Sequence, residues 1–252
     1  MKGLRTAWIF LTRVPIGDDP RPDVARAVPW FPVVGAIVGA IAGAVWALGY
    51  EVFGPLPSAA VAITAAALVT GAFHHDGLAD MADAFGGGWT REQRLAILKD
   101  SRHGTYGVMA LVCVMIVQVA ALGTHGQAQG AAALIGAHCL GRAGAVVLLL
   151  VVPPAHGGGM GAAFAADARV VPCVAGVLAA VAIATMVLGP GALLAALAVL
   201  VVTATVGLLA VRKIGGMVGD VLGAAEQIGE TAVLLTTAAL ALHTGHFPWW
   251  SS

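Results

Sequence analysis

The sequence predicts an all-α protein, a polytopic transmembrane helical bundle of about seven spans forming a single domain over residues 1–252. Three observations predict it. Hydrophobic residues make up 59% of the chain and charged residues only 10%, with a mean hydropathy of +0.91. A soluble domain carries roughly 25% charged residues, so this composition cannot cover a water-facing surface. The apolar residues also fall into runs of roughly 20, the length a helix needs to cross a bilayer core. Finally, the charges lie almost entirely between those runs. Together these exclude an ordinary soluble enzyme and a disordered chain. The balance of 13 Lys+Arg against 13 Asp+Glu excludes a basic nucleic-acid binder.

Residues 1–30 read as an interfacial segment. Lys2 and Arg5 precede Trp8-Ile9-Phe10-Leu11, but Arg13 interrupts after too few apolar residues for a signal peptide, and Pro15 and Asp18-Asp19 follow. The first span is expected over about Pro32–Tyr50 and the second over about Leu56–His74. A polar stretch, residues 75–103, comes next. The third span is expected over about Gly104–Leu122 and the fourth over about Ala131–Val152, ended by Pro153-Pro154 and Gly157-Gly158-Gly159. The fifth is expected over about Val170–Leu188. Gly189-Pro190-Gly191 turns the chain into the sixth, which ends near Val211, and the seventh runs from about Leu222 to His243. Phe247-Pro248-Trp249-Trp250 reads as an aromatic anchor. Cys113, Cys139 and Cys173 are odd in number and far apart, and read as small buried apolar residues.

Threading these spans sorts the cations. Lys2, Arg5, Arg13, Arg21, Arg26, Arg91, Arg94, Lys99, Arg102, Arg169, Arg212 and Lys213 share the N-terminal side, leaving only Arg142 inside a span. The positive-inside rule makes that side cytoplasmic and, with an odd number of spans, puts the C-terminus outside. Polar chemistry gathered at one face favours an enzyme opening to the cytoplasm over a transporter, which needs polar groups along its path.

The first chemical element is Phe73-His74-His75-Asp76-Gly77-Leu78-Ala79-Asp80-Met81-Ala82-Asp83. Asp76, Asp80 and Asp83 stand at i, i+4 and i+7 and share one helix face. Bare carboxylates so placed repel, and a divalent cation reverses the repulsion. Oxygen ligands without thiolates suit a hard ion such as Mg²⁺; His74 and His75 alone do not make a zinc set. Downstream, Arg94, Lys99, Arg102 and Thr105 are placed to hold phosphate oxygens. Near the seventh span, Asp220, Gln227 and Glu230 stand at i, i+7 and i+10, with Asp220 at the charged face and Glu230 two to three turns deeper. Glu226 is expected to point elsewhere. Arg142 lies ten residues from Val152, roughly 15 Å along a helix, and at that depth needs a partner: Asp220, Glu230 or a substrate phosphate. Gly35, Gly39 and Gly43 recur every fourth residue and offer a face for a homodimer.

With these residues in view, the sequence resembles the cobalamin synthase family, also called adenosylcobinamide-GDP ribazoletransferase. The resemblance runs through Phe10-Leu11-Thr12-Arg13-Val14-Pro15, Phe31-Pro32-Val33-Val34-Gly35, the Asp76–Asp83 helix, Lys99-Asp100-Ser101-Arg102-His103-Gly104-Thr105-Tyr106-Gly107 and Gly219-Asp220-Val221-Leu222-Gly223-Ala224. It departs at His75, where Leu is usual, and at Gln227, where an acidic residue is usual. The resemblance implies a Mg²⁺-dependent enzyme of the cell's inner membrane. Its substrates would be adenosylcobinamide-GDP and α-ribazole or its 5′-phosphate; its products, GMP and adenosylcobalamin or its 5′-phosphate. On this basis Asp76, Asp80, Asp83 and Asp220 are expected as metal ligands, with Asp83 or Asp220 as the base. His74, Lys99, Asp100, Ser101, Arg102, Arg142, Glu230 and Arg13 are expected against substrate. The Asp spacing is also similar to that of CDP-alcohol phosphotransferases, though without their second downstream Asp pair. A divalent-cation or corrinoid transporter and a pathway scaffold are the remaining alternatives.

Overall fold

The computed structural model describes residues 2–17, 22–155 and 159–244. Asp18, Asp19, Arg21 and the Phe247–Trp250 anchor lie outside the described residues. The described residues form helices α1 (Lys2–Leu11), α2 (Val24–Ala27), a 3₁₀ turn (Val28–Trp30), α3 (Phe31–Phe53), α4 (Pro55–Thr70), α5 (Phe73–Gly87), α6 (Arg91–Ile97), α7 (Thr105–Leu122), α8 (Gln127–Val151), α9 (Met160–Asp167), α10 (Val170–Leu188), α11 (Gly191–Ile214) and α12 (Gly219–Thr244). The fold class is as expected, and α10 begins and ends where its sequence predicts.

Among the described residues, five helical segments are individually long and apolar enough to cross a membrane: Val24–Phe53, α7, α8, α10 and α11. The α4–α5 pair makes a sixth if counted as one broken span, bent by 92°. The bend has a local cause. Gly71 takes a left-handed conformation (φ 65°), and so does Ala72 (φ 56°), so α4 ends four residues before the second span was expected to end. The chain restarts at Phe73, and α5 lies across the end of α4. α12 is one 26-residue helix whose Asp220, Glu226, Gln227 and Glu230 lower its hydropathy below that of the other five. It still traverses the bundle, from Asp220 beside Gly77 to Thr237, whose hydroxyl lies 3.1 Å from His125 Nε2 in the α7–α8 turn.

The long helix α8 is central and packs against α3, α10, α11 and α12. The exposed apolar residues lie on the outer helices, for example Val112 and Ile116 on α7, Leu178 and Met186 on α10, and Leu197 and Leu200 on α11. These are the faces that lipid would cover. Cys139 and Cys173 are buried, but Cys113 is exposed on α7, so only two of the three thiols are core residues.

The glycine stripe of α3 faces inward. A Cβ on Gly35 would strike the His138 carbonyl oxygen, one on Gly39 would lie 2.5 Å from the Leu134 oxygen, and one on Gly43 would lie 3.2 Å from the Ala131 oxygen. All three contacts are on α8 of the same chain. The stripe is therefore spent on α3–α8 packing and supplies no homodimer face. Gly39→Ala is expected to cost about 1–3 kcal/mol by forcing the two backbones apart, read as a lowered unfolding temperature in detergent; Gly54→Ala, which meets nothing within 4 Å, tests the cost of its φ of 76° alone.

One end of the bundle is tied together by backbone and cation contacts. Arg91 Nε donates to the Ile214 oxygen (2.8 Å) and its Nη2 to the Ala155 oxygen (2.9 Å). Arg94 donates to the Lys213 oxygen (3.2 Å), and Lys213 Nζ to the Phe85 oxygen (3.0 Å). Met217 and Pro154 pair through a short parallel bridge. Arg94, expected as a phosphate ligand, is thus used with Arg91 to fasten α6 onto the end of α11. This end, where α5, α6, α9 and the start of α12 gather, is where the predicted carboxylates meet.

Candidate active site

The site is built on the contact between α5 and α12. Gly77 has no side chain, and a Cβ there would lie 3.0 Å from the Asp220 Cα and 3.2 Å from the Gly223 Cα. Two small residues therefore let the helices touch, which brings Asp220 near Asp76, the residue before Gly77, and Asp80, one turn beyond it. Asp220 precedes the span expected from Leu222. Burial pushes its carboxyl up to about 7, and the charges of Asp80 and then Asp76 push in the same direction.

His103, not singled out from the sequence, completes the group. Its Nε2 lies 3.6 Å from Asp76 Oδ1 and its Nδ1 lies 3.4 Å from Asp80 Oδ1. Asp76, Asp80 and His103 each offer a ligand atom, all within 4.8 Å of one another. The signal for His103 was its place directly after Arg102 in the polar segment. With only sequence in view, nothing folds that segment back over α5.

Asp83 departs from the expected cluster. Both its oxygens are engaged by α7: Oδ2 accepts from the Gly104 N–H (2.6 Å) and Oδ1 from the Gly107 N–H (2.8 Å). An i+7 residue keeps the angle of Asp76 but lies roughly 10 Å further along the helix, and there the exposed N–H groups of α7 meet it. A carboxylate at a helix N-terminus satisfies orphan donors and complements the helix dipole. Asp83→Ala is expected to cost about 1–2 kcal/mol and to speed proteolysis between α6 and α7. Asp83→Asn keeps one acceptor oxygen and should retain at least about a tenth of turnover, as measured by product release.

The remaining predicted residues divide. Asp100 and Arg102 pair with each other at the surface, at 2.7 Å, and this pairing holds the Asp100 carboxyl down at about 2. Lys99 and Ser101 are exposed beside them. Arg13 lies away from the cluster: its N–H donates to the Val69 oxygen (2.7 Å) and its side chain covers Gly71.

Deeper in the bundle, Arg142 finds its partners within the chain. Its Nη1 lies 2.6 Å from Glu226 Oε1 and 2.8 Å from Glu230 Oε1, and it donates to the His138 oxygen at 3.0 Å. His138 Nδ1 also contacts Glu230 Oε1. Gln227 donates to both glutamates, at 2.9 Å and 3.2 Å. His138, Glu226 and Glu230 have the spacing of a metal-ligand set, but the guanidinium nitrogen already sits among them as the cation. Glu226 does not point elsewhere: it is fully buried, and its Oε2 lies 3.3 Å from His74 Nδ1. His74 and Arg142 in turn line a cavity of about 100 Å³ together with Asp76 and Asp220. His75 turns the other way, its ring nitrogens buried without a hydrogen-bond partner.

Fold and site together define a class: a polytopic helical membrane protein with carboxylates from two helices gathered at one end of the bundle. Comparison with known proteins narrows it. The family described as cobalamin-5-phosphate synthase matches residues 3–238, and the chain belongs to that family. It is 41% identical over 246 residues to the adenosylcobinamide-GDP ribazoletransferase of Bradyrhizobium diazoefficiens, covering 94% of this chain and 93% of that protein. It is 40% identical over 247 residues to the ribazoletransferase of Klebsiella pneumoniae (93% and 98%) and 38% identical over 241 residues to that of Brucella anthropi (89% and 92%). No solved structure matches the chain.

Proposed function

We propose that the protein transfers the phosphorylated cobinamide of adenosylcobinamide-GDP to α-ribazole or its 5′-phosphate, releasing GMP and adenosylcobalamin or its 5′-phosphate. The observation that carries this reading is the meeting of Asp76 and Asp80 on α5 with Asp220 on α12. Relatives covering nine-tenths of the chain bear the same activity in their names. We place the active face in the cytoplasm and the protein in the inner membrane, because Arg91, Arg94 and Lys213, which sort to one side in sequence, fasten the end of the bundle that carries the site.

The donor set fits Mg²⁺. Asp76 and Asp80 offer hard carboxylate oxygens close enough to share one ion with His103, while Asp220, raised first by burial and then by the charges of Asp80 and Asp76, stands beside them as an unligated carboxyl. When bound, the ion would neutralise phosphoryl oxygens and the departing GMP. The chain's residues do the rest. Lys99 and Arg102 at the exposed rim meet the pyrophosphate; the Asp100–Arg102 pair opens at little cost because exposed ion pairs are weak. A ribose hydroxyl of the acceptor attacks the phosphorus that bears the aminopropanol arm. The bond from that phosphorus to the GMP oxygen breaks, and the hydroxyl proton passes to a carboxylate. We assign that role to Asp220, since both oxygens of Asp83 are held by backbone N–H groups. Arg142 orders α8 against α12 beneath the site, its charge already met by two glutamates.

The test is product release from reconstituted vesicles. GMP should appear in equal amount with cobalamin when adenosylcobinamide-GDP and α-ribazole are supplied with Mg²⁺, and EDTA should stop it. CMP release from a CDP-lipid, with no GMP from the corrinoid, would instead make the protein a CDP-alcohol phosphotransferase.

A further inference from the structure

The cavity beside the carboxylates has two unlike ends. Its polar side chains are His74, Asp76, Arg142 and Asp220; every other lining residue is apolar or glycine. The apolar end is dominated by four phenylalanines from four different helices: Phe10 on α1, Phe31 on α3, Phe73 on α5 and Phe164 on α9. Phe10 is the hub. It stacks on Phe31 at 5.7 Å, meets Phe73 edge-on at 5.1 Å and lies 4.7 Å from Phe164. Phe10, Phe31 and Phe73 remain partly exposed, and all three line the cavity while packing against one another.

The volume, about 100 Å³, is well below the roughly 300–1,000 Å³ that encloses a whole drug-sized ligand. It has room for one ring of an aromatic base, the remainder lying in the open mouth beside the carboxylates, and cannot take a corrin macrocycle. Two such bases exist in the proposed reaction: the guanine of the donor and the benzimidazole-type base of the acceptor. Guanine carries a full edge of donors and acceptors, and burying them against phenyl rings without partners costs affinity. A benzimidazole is apolar except at its ring nitrogens and stacks well on phenyl faces.

Resting on the transferase reading above, we propose that this phenylalanine-lined cavity is the subsite for the heteroaromatic base of the acceptor, with the corrin left outside at the rim. The ribose attached to the base then sits at the polar end, next to Asp76 and Asp220, where its hydroxyl must be to attack. Base specificity is set by Phe164 and by Val146, which is 1% exposed and lines the same cavity.

The experiment uses the full chain in vesicles with Mg²⁺. Val146→Phe fills the cavity and is expected to raise the KM for α-ribazole by about ten-fold or more, leaving the KM for adenosylcobinamide-GDP within about two-fold. Phe164→Ala enlarges the cavity and should shift preference toward a riboside with a larger, naphthimidazole-type base. Phe164→Leu, gentler on folding, should shift it less and in the same direction. A rise in the donor KM alone, or an equal rise in both, would overturn the assignment. So would competition by GMP for α-ribazole binding that Val146→Phe removes, since it would give the cavity to guanine. Equilibrium binding of α-ribazole separates this proposal from the activity: a protein that binds α-ribazole, loses that binding in Val146→Phe and releases no GMP would keep the subsite and sink the transferase reading.

Discussion

Asp80→Asn is expected to cut GMP release by more than about a hundred-fold, with Asp76→Asn close behind. Losing even an outer-shell partner of a metal ligand typically costs 10–100-fold, and losing a ligand itself costs more. Asp80 is the better-placed of the two. Its side chain is only 16% exposed against 60% for Asp76, and its charge is felt by Asp220 more strongly than that of Asp76. Asn has the same shape, so α5 and its contact at Gly77 should survive and the variant should still insert and unfold at a near-wild-type temperature. What changes is charge: one carboxylate fewer holds the dication, and the Mg²⁺ concentration for half-maximal rate should rise. His103→Asn should show the same Mg²⁺ shift in smaller measure if the imidazole is a ligand, and none if it only balances charge. Wild-type rates in both Asp variants would remove the proposed centre.

Much of this arrangement was legible in the sequence because membrane helices are bounded by strong local signals. Gly189-Pro190-Gly191 and the apolar run before it mark α10 to the residue. The acidic helix α5 stops within the Gly86-Gly87-Gly88 run, a local breaker signal, and Asp220 fell at the same end as Asp76 and Asp80 because threading alone puts it there. What was not legible depends on contacts between distant segments. Ala72 in a left-handed conformation bends the chain through 92°, and no local rule asks that of alanine. The i, i+4, i+7 spacing gives the angle of Asp83 but cannot show that the N-terminus of α7 arrives at that height. A glycine stripe announces close packing without naming the partner, and here the partner is α8. Glu226 was misread for the same reason: on an isolated α12 it diverges from Asp220, yet the surface it faces carries Arg142 and His74.

Arg142→Met is expected to destabilise the protein by about 3–5 kcal/mol, the usual cost of stripping one partner from a buried ion pair. The cost does not come from a lost favourable contact alone. Arg142 is 2% exposed and Glu226 and Glu230 are no more than 4% exposed, so removing the guanidinium strands two carboxylates in an apolar bundle. Gln227 and His138 can each still donate to a glutamate, but neither brings the fixed charge. The sign of the effect should therefore reverse when the acids are neutralised as well. Glu226→Gln with Glu230→Gln, added to Arg142→Met, should recover more than half of the lost stability, although either neutralisation alone in the wild type should destabilise. Unfolding temperature in detergent, scanned across the single, double and triple variants, reads this directly. Were Arg142 instead held for substrate phosphate, Arg142→Met would leave stability near wild type and raise the KM for adenosylcobinamide-GDP. The triple variant would then gain nothing. Recovery of stability with the donor KM unchanged throughout would show that Arg142 and its two glutamates support α8 and α12, and that recognition of phosphate belongs to the exposed Lys99 and Arg102.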